Sequence, residues 1–142
     1  MMEFPQAANL LLCRGSIFHG DREVFPAIDH GKFFAIIGED DDELIGAFFI
    51  NSEVNTNVIR TQEQHELQIP LTSSKYKFLA KDVSFLNCAD LVRIAKKSLL
   101  AHINSGAVTY RDTLNEVDMA YILDKLRDSD LYTKAEKGTF FG

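Results

Sequence analysis

Two short apolar runs, Phe33 to Ile37 and Ala47 to Ile50, bracket five consecutive acids, Glu39 to Glu43. Lys32 opens the first run, and Asn51 and Ser52 close the second. This pattern reads as a β-hairpin with a solvated tip. The open ends of a hairpin lie side by side, so Lys32 and Ser52 are expected to be neighbours. A cation beside a hydroxyl is a candidate phosphate site, because the ammonium offsets charge while the hydroxyl donates a hydrogen bond. His30 lies beside this site in sequence and is a candidate acid or base near neutral pH. His19 and His65 reach the same mouth only if their strands neighbour the hairpin.

Other residues with chemical potential are more diffuse. Lys75, Lys77 and Lys81 fall on one face of an expected strand, with Tyr76 and Phe78 on the other. Such a row could contact nucleic-acid phosphates, or simply form the wet face of an edge strand. The acidic tip lacks the glycine and the spaced terminal Glu of an EF-hand loop, so no metal is expected there. Cys13 and Cys88 have no CxxC partner and no histidine at ligand spacing, and both read as buried thiols. No cofactor is expected.

The elements that must position these residues follow from composition and period. The chain has 142 residues, 46% apolar and 25% charged, with a net charge of −6, enough for one domain with its own core. Eleven Phe and no Trp make Phe the main source of aromatic core volume. The acidic balance argues against a protein that coats nucleic acid through a broad basic face. No apolar run approaches the roughly 20 residues that span a bilayer, so no membrane association is expected. The N-terminal residues lack a basic segment ahead of Leu10 to Leu12, and a cytoplasmic location is expected.

Residues 1–14 read as a short helix or leader strand, and Ser16 to His19 as a strand. A loop over 21–30, with Pro26 arguing against a central strand, lands in front of Lys32. The hairpin strands are apolar on both faces, hence buried on both, and Gly46 permits a bulge or a close backbone approach. Residues 53–64 form a long polar loop. Strands are expected at Glu66 to Ile69, Lys75 to Lys81 and Ser84 to Leu86. The period then changes to three and four, predicting a helix at least over Lys96 to His102 that ends at Gly106. Thr109 and Asp112 read as an N-cap pair for a C-terminal helix with apolar residues from Leu114 to Leu126, ending near Ser129. Residues 130–142 are expected to be a loosely held tail. The fold class is therefore mainly β (α+β): a small barrel or coiled sheet closed by helices, in a single domain over 1–142.

Three segments of this order resemble the MazF/PemK toxin family over roughly residues 30–126. They are Ile69-Pro70, the run Tyr76 to Leu86 with Leu79-Ala80-Lys81-Asp82-Val83-Ser84 inside it, and Asp90 to Leu99. The helix over Leu114 to Leu123 is similar to that family's terminal helix. The resemblance implies an SH3-like β-barrel with helices, usually a homodimer. It implies metal-independent endoribonuclease cleavage of single-stranded RNA, neutralised by an acidic antitoxin protein. In that chemistry the 2′-hydroxyl attacks its neighbouring phosphate, a cation stabilises the developing charge, and a hydroxyl residue positions the reacting groups. Carried over by position, Lys32 stands where the family has Arg, Phe33 where it has Pro, and Ser52 at the hydroxyl position. A register one residue earlier puts Asn51 there instead, and a one-residue slip changes the face.

Lys is a point charge and does not present the two-pronged fork of Arg. A degenerate ribonuclease and a non-catalytic barrel that binds a protein or nucleic acid therefore stand as alternatives. A third, a barrel acting on DNA gyrase as the related CcdB toxins do, ranks last because the tail lacks the terminal Trp. The apolar face of Leu114 to Leu126 predicts a homodimer.

Overall fold

A computed structural model describes residues 12–25, 28, 30–40 and 43–142. Among the described residues there are seven strands: β1 (Ser16–Gly20), β2 (Lys32–Glu39), β3 (Leu44–Asn51), β4 (Gln68–Thr72), β5 (Val83–Asn87), β6 (Val92–Ala95) and β7 (Val108–Thr113). The described residues also form helices α1 (Gln62–Glu66), α2 (Lys96–Ser105), α3 (Glu116–Asp128) and α4 (Lys134–Phe140). All strand pairs are antiparallel, in the order β4-β5-β3-β2-β1-β7. The first half of β3 pairs with β6 and its last residues pair with β5. The path does not close on itself, so the architecture is an open, mainly antiparallel sheet with helices.

The hairpin holds the centre. Phe34, Ala35, Ile36 and Ile37 on β2, with Ile45, Ala47 and Phe48 on β3, are buried on both faces of the sheet. Alternation sends them into two cores. One gathers Ile17, Ala35, Ile37, Phe48, Ile50 and Leu86 beneath Ile122, Leu123 and Leu126 of α3. The other gathers Phe18, Phe34, Ile36, Ile45 and Ala47 against Ile94 and Leu99, the latter on α2. Four fully buried Phe, at 18, 34, 48 and 141, bring about 1.5–3 kcal/mol each by leaving water. At the tip, the Asp40 carboxylate accepts from the backbone N–H of Glu43 and Leu44 at 2.8 and 2.9 Å, closing the turn from within.

The helix over 96–102 is found within α2, and Gly106 ends it in the left-handed region at φ 87°. The end near Ser129 is also found, with Ser129 as the cap of α3. Several expectations are corrected. Lys75 to Lys81 is a run of turns, not a strand, in which Tyr76 folds inward. There the Tyr76 hydroxyl donates to Asp118 at 2.5 Å and accepts from Asn115 N–H at 3.1 Å, bolting the loop to the start of α3. Thr109 and Asp112 lie in β7, whose β-branched and aromatic residues suit a strand. The cap is Asn115, three residues before Asp118, whose N–H it accepts at 2.8 Å. The long loop over 53–64 ends in α1, which carries a capping box of Thr61 and Gln64.

The largest correction concerns residues 130–142. They form α4, and Tyr132, Phe140 and Phe141 are buried. The physical reason is a notch in the hairpin. Gly38 and Gly46 face each other across β2 and β3, where the register shifts. A Cβ at Gly38 would lie 2.1 Å from the Phe140 carbonyl oxygen, and one at Gly46 would lie 2.6 Å from the Phe140 ring. Arg14 donates to the carbonyls of Ile37, Phe140 and Gly142, and Arg127 to that of Phe141. Most of the N-terminal leader, residues 1–11, and Pro26 lie outside the described residues. Cys88 is buried as expected, whereas Cys13 is exposed and touches Ser16 Oγ at 3.4 Å.

Candidate functional site

Lys32 sits at the first position of β2, one residue before the Phe33–Ile50 pair, so its cross-strand neighbour is Asn51. The Lys32 ammonium donates to Asn51 Oδ1. It also lies 5.6 Å from the centre of the Phe49 ring, a distance at which the ring face attracts a cation. Partial burial pushes the Lys32 ammonium below its ordinary value of 10.5, because desolvation penalises the charged form. The residue is thus a held, half-desolvated cation rather than a freely waving surface lysine.

The direct partner is therefore the earlier of the two registers considered above: Asn51, not Ser52. Ser52 follows the end of β3 and is exposed, but it lines the same cleft. That cleft, about 550 Å³ in volume, lies between the end of the hairpin and the loop after β3. Its polar lining includes Lys32, Asn51, Ser52, Asn55, Gln68 and Asn87.

Strand pairing explains why such distant residues meet. Asn51 pairs with Phe85 on β5, and Asn87 of β5 pairs with Gln68 of β4. Counting by twos puts Lys32, Asn51, Asn87 and Gln68 on one face, while Ile50, Leu86 and Ile69 face the larger core on the other. Gln68 and Asn87 were not singled out from sequence. Each is a polar residue at the end of a short, mostly apolar strand, and only the pairing of β4 with β5 brings the two together at the cleft. The available signal is the polar–apolar alternation Glu66-Leu67-Gln68-Ile69, which marks a half-buried strand but not what its polar side faces.

The remaining candidates are dispersed. His30 is exposed and does not line the cleft. His19, on β1, packs edge-on against Phe33 at 4.8 Å, which places it on the sheet face opposite Lys32. It opens instead to a second cleft with Asp21, whose carboxylate is 3.9 Å from His19 Nδ1. His65 is exposed on α1. The lysine row expected on one face is not formed. Lys75 pairs with Asp118 at 3.5 Å beside α3, and Lys81 pairs with Glu53 at 4.0 Å beside the cleft. Lys77 is exposed on the turn between them. Of the three, Lys81 alone is paired with a residue that lines the cleft, Glu53.

What this arrangement can do is hold an anion at one end and a polar, planar group at the other. One cation supplies attraction, carboxamides and a hydroxyl supply hydrogen bonds, and Val54, Val58 and Ile59 supply apolar wall. No family model, curated protein or solved structure matches the chain.

Proposed function

We propose that this chain is a single-stranded-RNA-binding protein of the PemK/MazF type, with a barrel-like sheet and a weak, metal-independent endoribonuclease activity centred on Lys32. The observation that carries the reading is Lys32 itself, a half-buried cation held by Asn51 at the rim of a polar cleft that also contains Ser52. The residue order that resembles that family supports it.

In the reaction, the 2′-oxygen forms a bond to the adjacent phosphorus and the bond from phosphorus to the 5′-oxygen breaks. The products are a 2′,3′-cyclic phosphate and a 5′-hydroxyl. The proton lost by the 2′-hydroxyl passes to solvent, and the leaving oxygen takes one from solvent. Lys32 offsets the charge developing on the non-bridging oxygens, and Ser52 donates a hydrogen bond to the same group. A single ammonium lacks the two-pronged fit of a guanidinium. The cleft lining also includes no histidine, so proton transfer is unassisted by the usual side chain. Both features make the reaction slow.

The same features favour a second reading, a non-catalytic barrel that binds RNA or a protein at this cleft. An acidic antitoxin-like protein and a second copy of the chain are the partners that the family resemblance adds. Incubating the pure protein with end-labelled RNA in a chelator separates the readings. The first predicts fragments ending in cyclic phosphate that disappear with Lys32→Ala. Intact RNA that is nonetheless retained by the wild type selects the second.

A further inference from the structure

The floor of the cleft carries two carboxamides whose orientation is fixed. Gln68 Nε2 donates to Asn87 Oδ1 at 2.7 Å and to the Gln64 carbonyl at 3.3 Å. Asn87 Oδ1 also accepts from the Ala89 N–H at 3.3 Å. A backbone N–H only donates and a backbone carbonyl only accepts, so neither amide can be turned over without losing a bond. Both hydrogens of the Gln68 amide and both lone pairs of Asn87 Oδ1 are thereby engaged. The groups of the pair left over from these bonds, at two residues that line the cleft, are Gln68 Oε1, an acceptor, and the Asn87 amide nitrogen, a donor. Gln68 is only 8% exposed, and the pair bridges β4 and β5 as direct cross-strand partners, so its geometry is set before any ligand arrives.

We propose that Gln68 and Asn87 read the edge of one nucleobase next to the phosphate held by Lys32, and so determine the base specificity of the site. This rests on the RNA-binding reading above. The three residues share one face of the sheet and one cleft, whose volume is of the size that holds a nucleotide. One donor and one acceptor on paired residues are the complement that the Watson–Crick edge of an unpaired base requires, the part that proteins read in single strands. The base is tethered to the phosphate on Lys32, so it presents that edge in one direction only. The fixed order then separates bases with an exocyclic donor and a ring acceptor, such as cytosine, from those with an exocyclic acceptor and a ring donor, such as uracil.

The test compares binding of short oligocytidylate and oligouridylate carrying 2′-fluoro sugars, which block attack by the 2′-oxygen. Wild type is expected to prefer one of the two by roughly tenfold or more, the discrimination usual for a two-point base contact. Asn87→Asp keeps the oxygen that accepts from Gln68 and Ala89 but turns the outward donor into an acceptor. It should bring the ratio to within about threefold, a change well beyond what phosphate contacts alone produce. Asn55→Asp adds the same charge to the same cleft, where the Asn55 carboxamide oxygen accepts from the Asn57 N–H. It should weaken both oligonucleotides equally and leave the ratio unchanged. Thermal melting establishes that each variant is folded. An Asn87→Asp protein that keeps the wild-type ratio, or a wild type with no preference, overturns this inference while leaving RNA binding intact. Failure of the wild type to bind either oligonucleotide overturns the RNA reading and this inference with it.

Discussion

Lys32 carries most of the electrostatic work proposed here, and its surroundings set a pH dependence. Burial lowers its folded-state pKa, so in the window between that value and 10.5 an ordinary lysine is charged while Lys32 is neutral. In the same window the unfolded chain binds more protons than the folded one, and stability rises with pH. RNA affinity runs the other way, because only the ammonium attracts phosphate. Binding by the wild type should therefore fall below pH 10.5, whereas Lys32→Arg, charged throughout, should hold its affinity across that range. A titration monitored by fluorescence anisotropy checks this, and coincident curves for the two proteins would refute it. That Lys32 meets the end of β3 was legible in the sequence because the hairpin pattern fixes which ends meet. The exact partner was not, since a one-residue difference in register decides between Asn51 and Ser52.

At the level of elements, the glycine notch is the feature on which the C-terminal helix depends. Gly46→Ala would place a methyl 2.6 Å from the Phe140 ring, and Gly38→Ala would place one 2.1 Å from the Phe140 carbonyl oxygen. Each should destabilise the protein by about 1–3 kcal/mol, the usual cost of overpacking. Gly138→Ala meets nothing within 4 Å and lies inside α4, so it should stabilise by about 0.5–1 kcal/mol. Urea unfolding of the three variants distinguishes a filled notch from a merely tolerant surface. The sequence showed Gly46 as a place of close approach, but nothing in it named Phe140 as the group that approaches. Two Phe after a charged stretch resemble a frayed end until the notch that receives them is seen. Similarly, the lysines from Lys75 to Lys81 alternate like a strand, yet Tyr76 is drawn inward by hydrogen bonds to α3 some forty residues away.

At the scale of the whole molecule, the sheet was legible in outline because strands apolar on both faces must be central. Which strands flank the hairpin was not, because β6 and β5 share β3 and that division depends on strand ends. The apolar face of α3 illustrates a further limit. Ile122, Leu123 and Leu126 are spent on the chain's own core, leaving Val117 and Tyr121 exposed one turn apart. Homodimerisation, if carried by α3, must use this narrower stripe. Light scattering at micromolar concentration is then expected to give a two-chain mass that falls to one chain with Val117→Asp. A wild-type monomer would remove the dimer from the account.

The central claim is that Lys32 anchors RNA phosphate in the cleft at the end of the hairpin, and equilibrium binding of a short single-stranded RNA tests it most directly. Wild type should bind with an affinity that declines steeply with salt. Lys32→Ala should bind about tenfold or more weakly and show a shallower salt slope, because one phosphate contact is lost. Equal affinities and equal salt slopes for the two folded proteins would contradict the account.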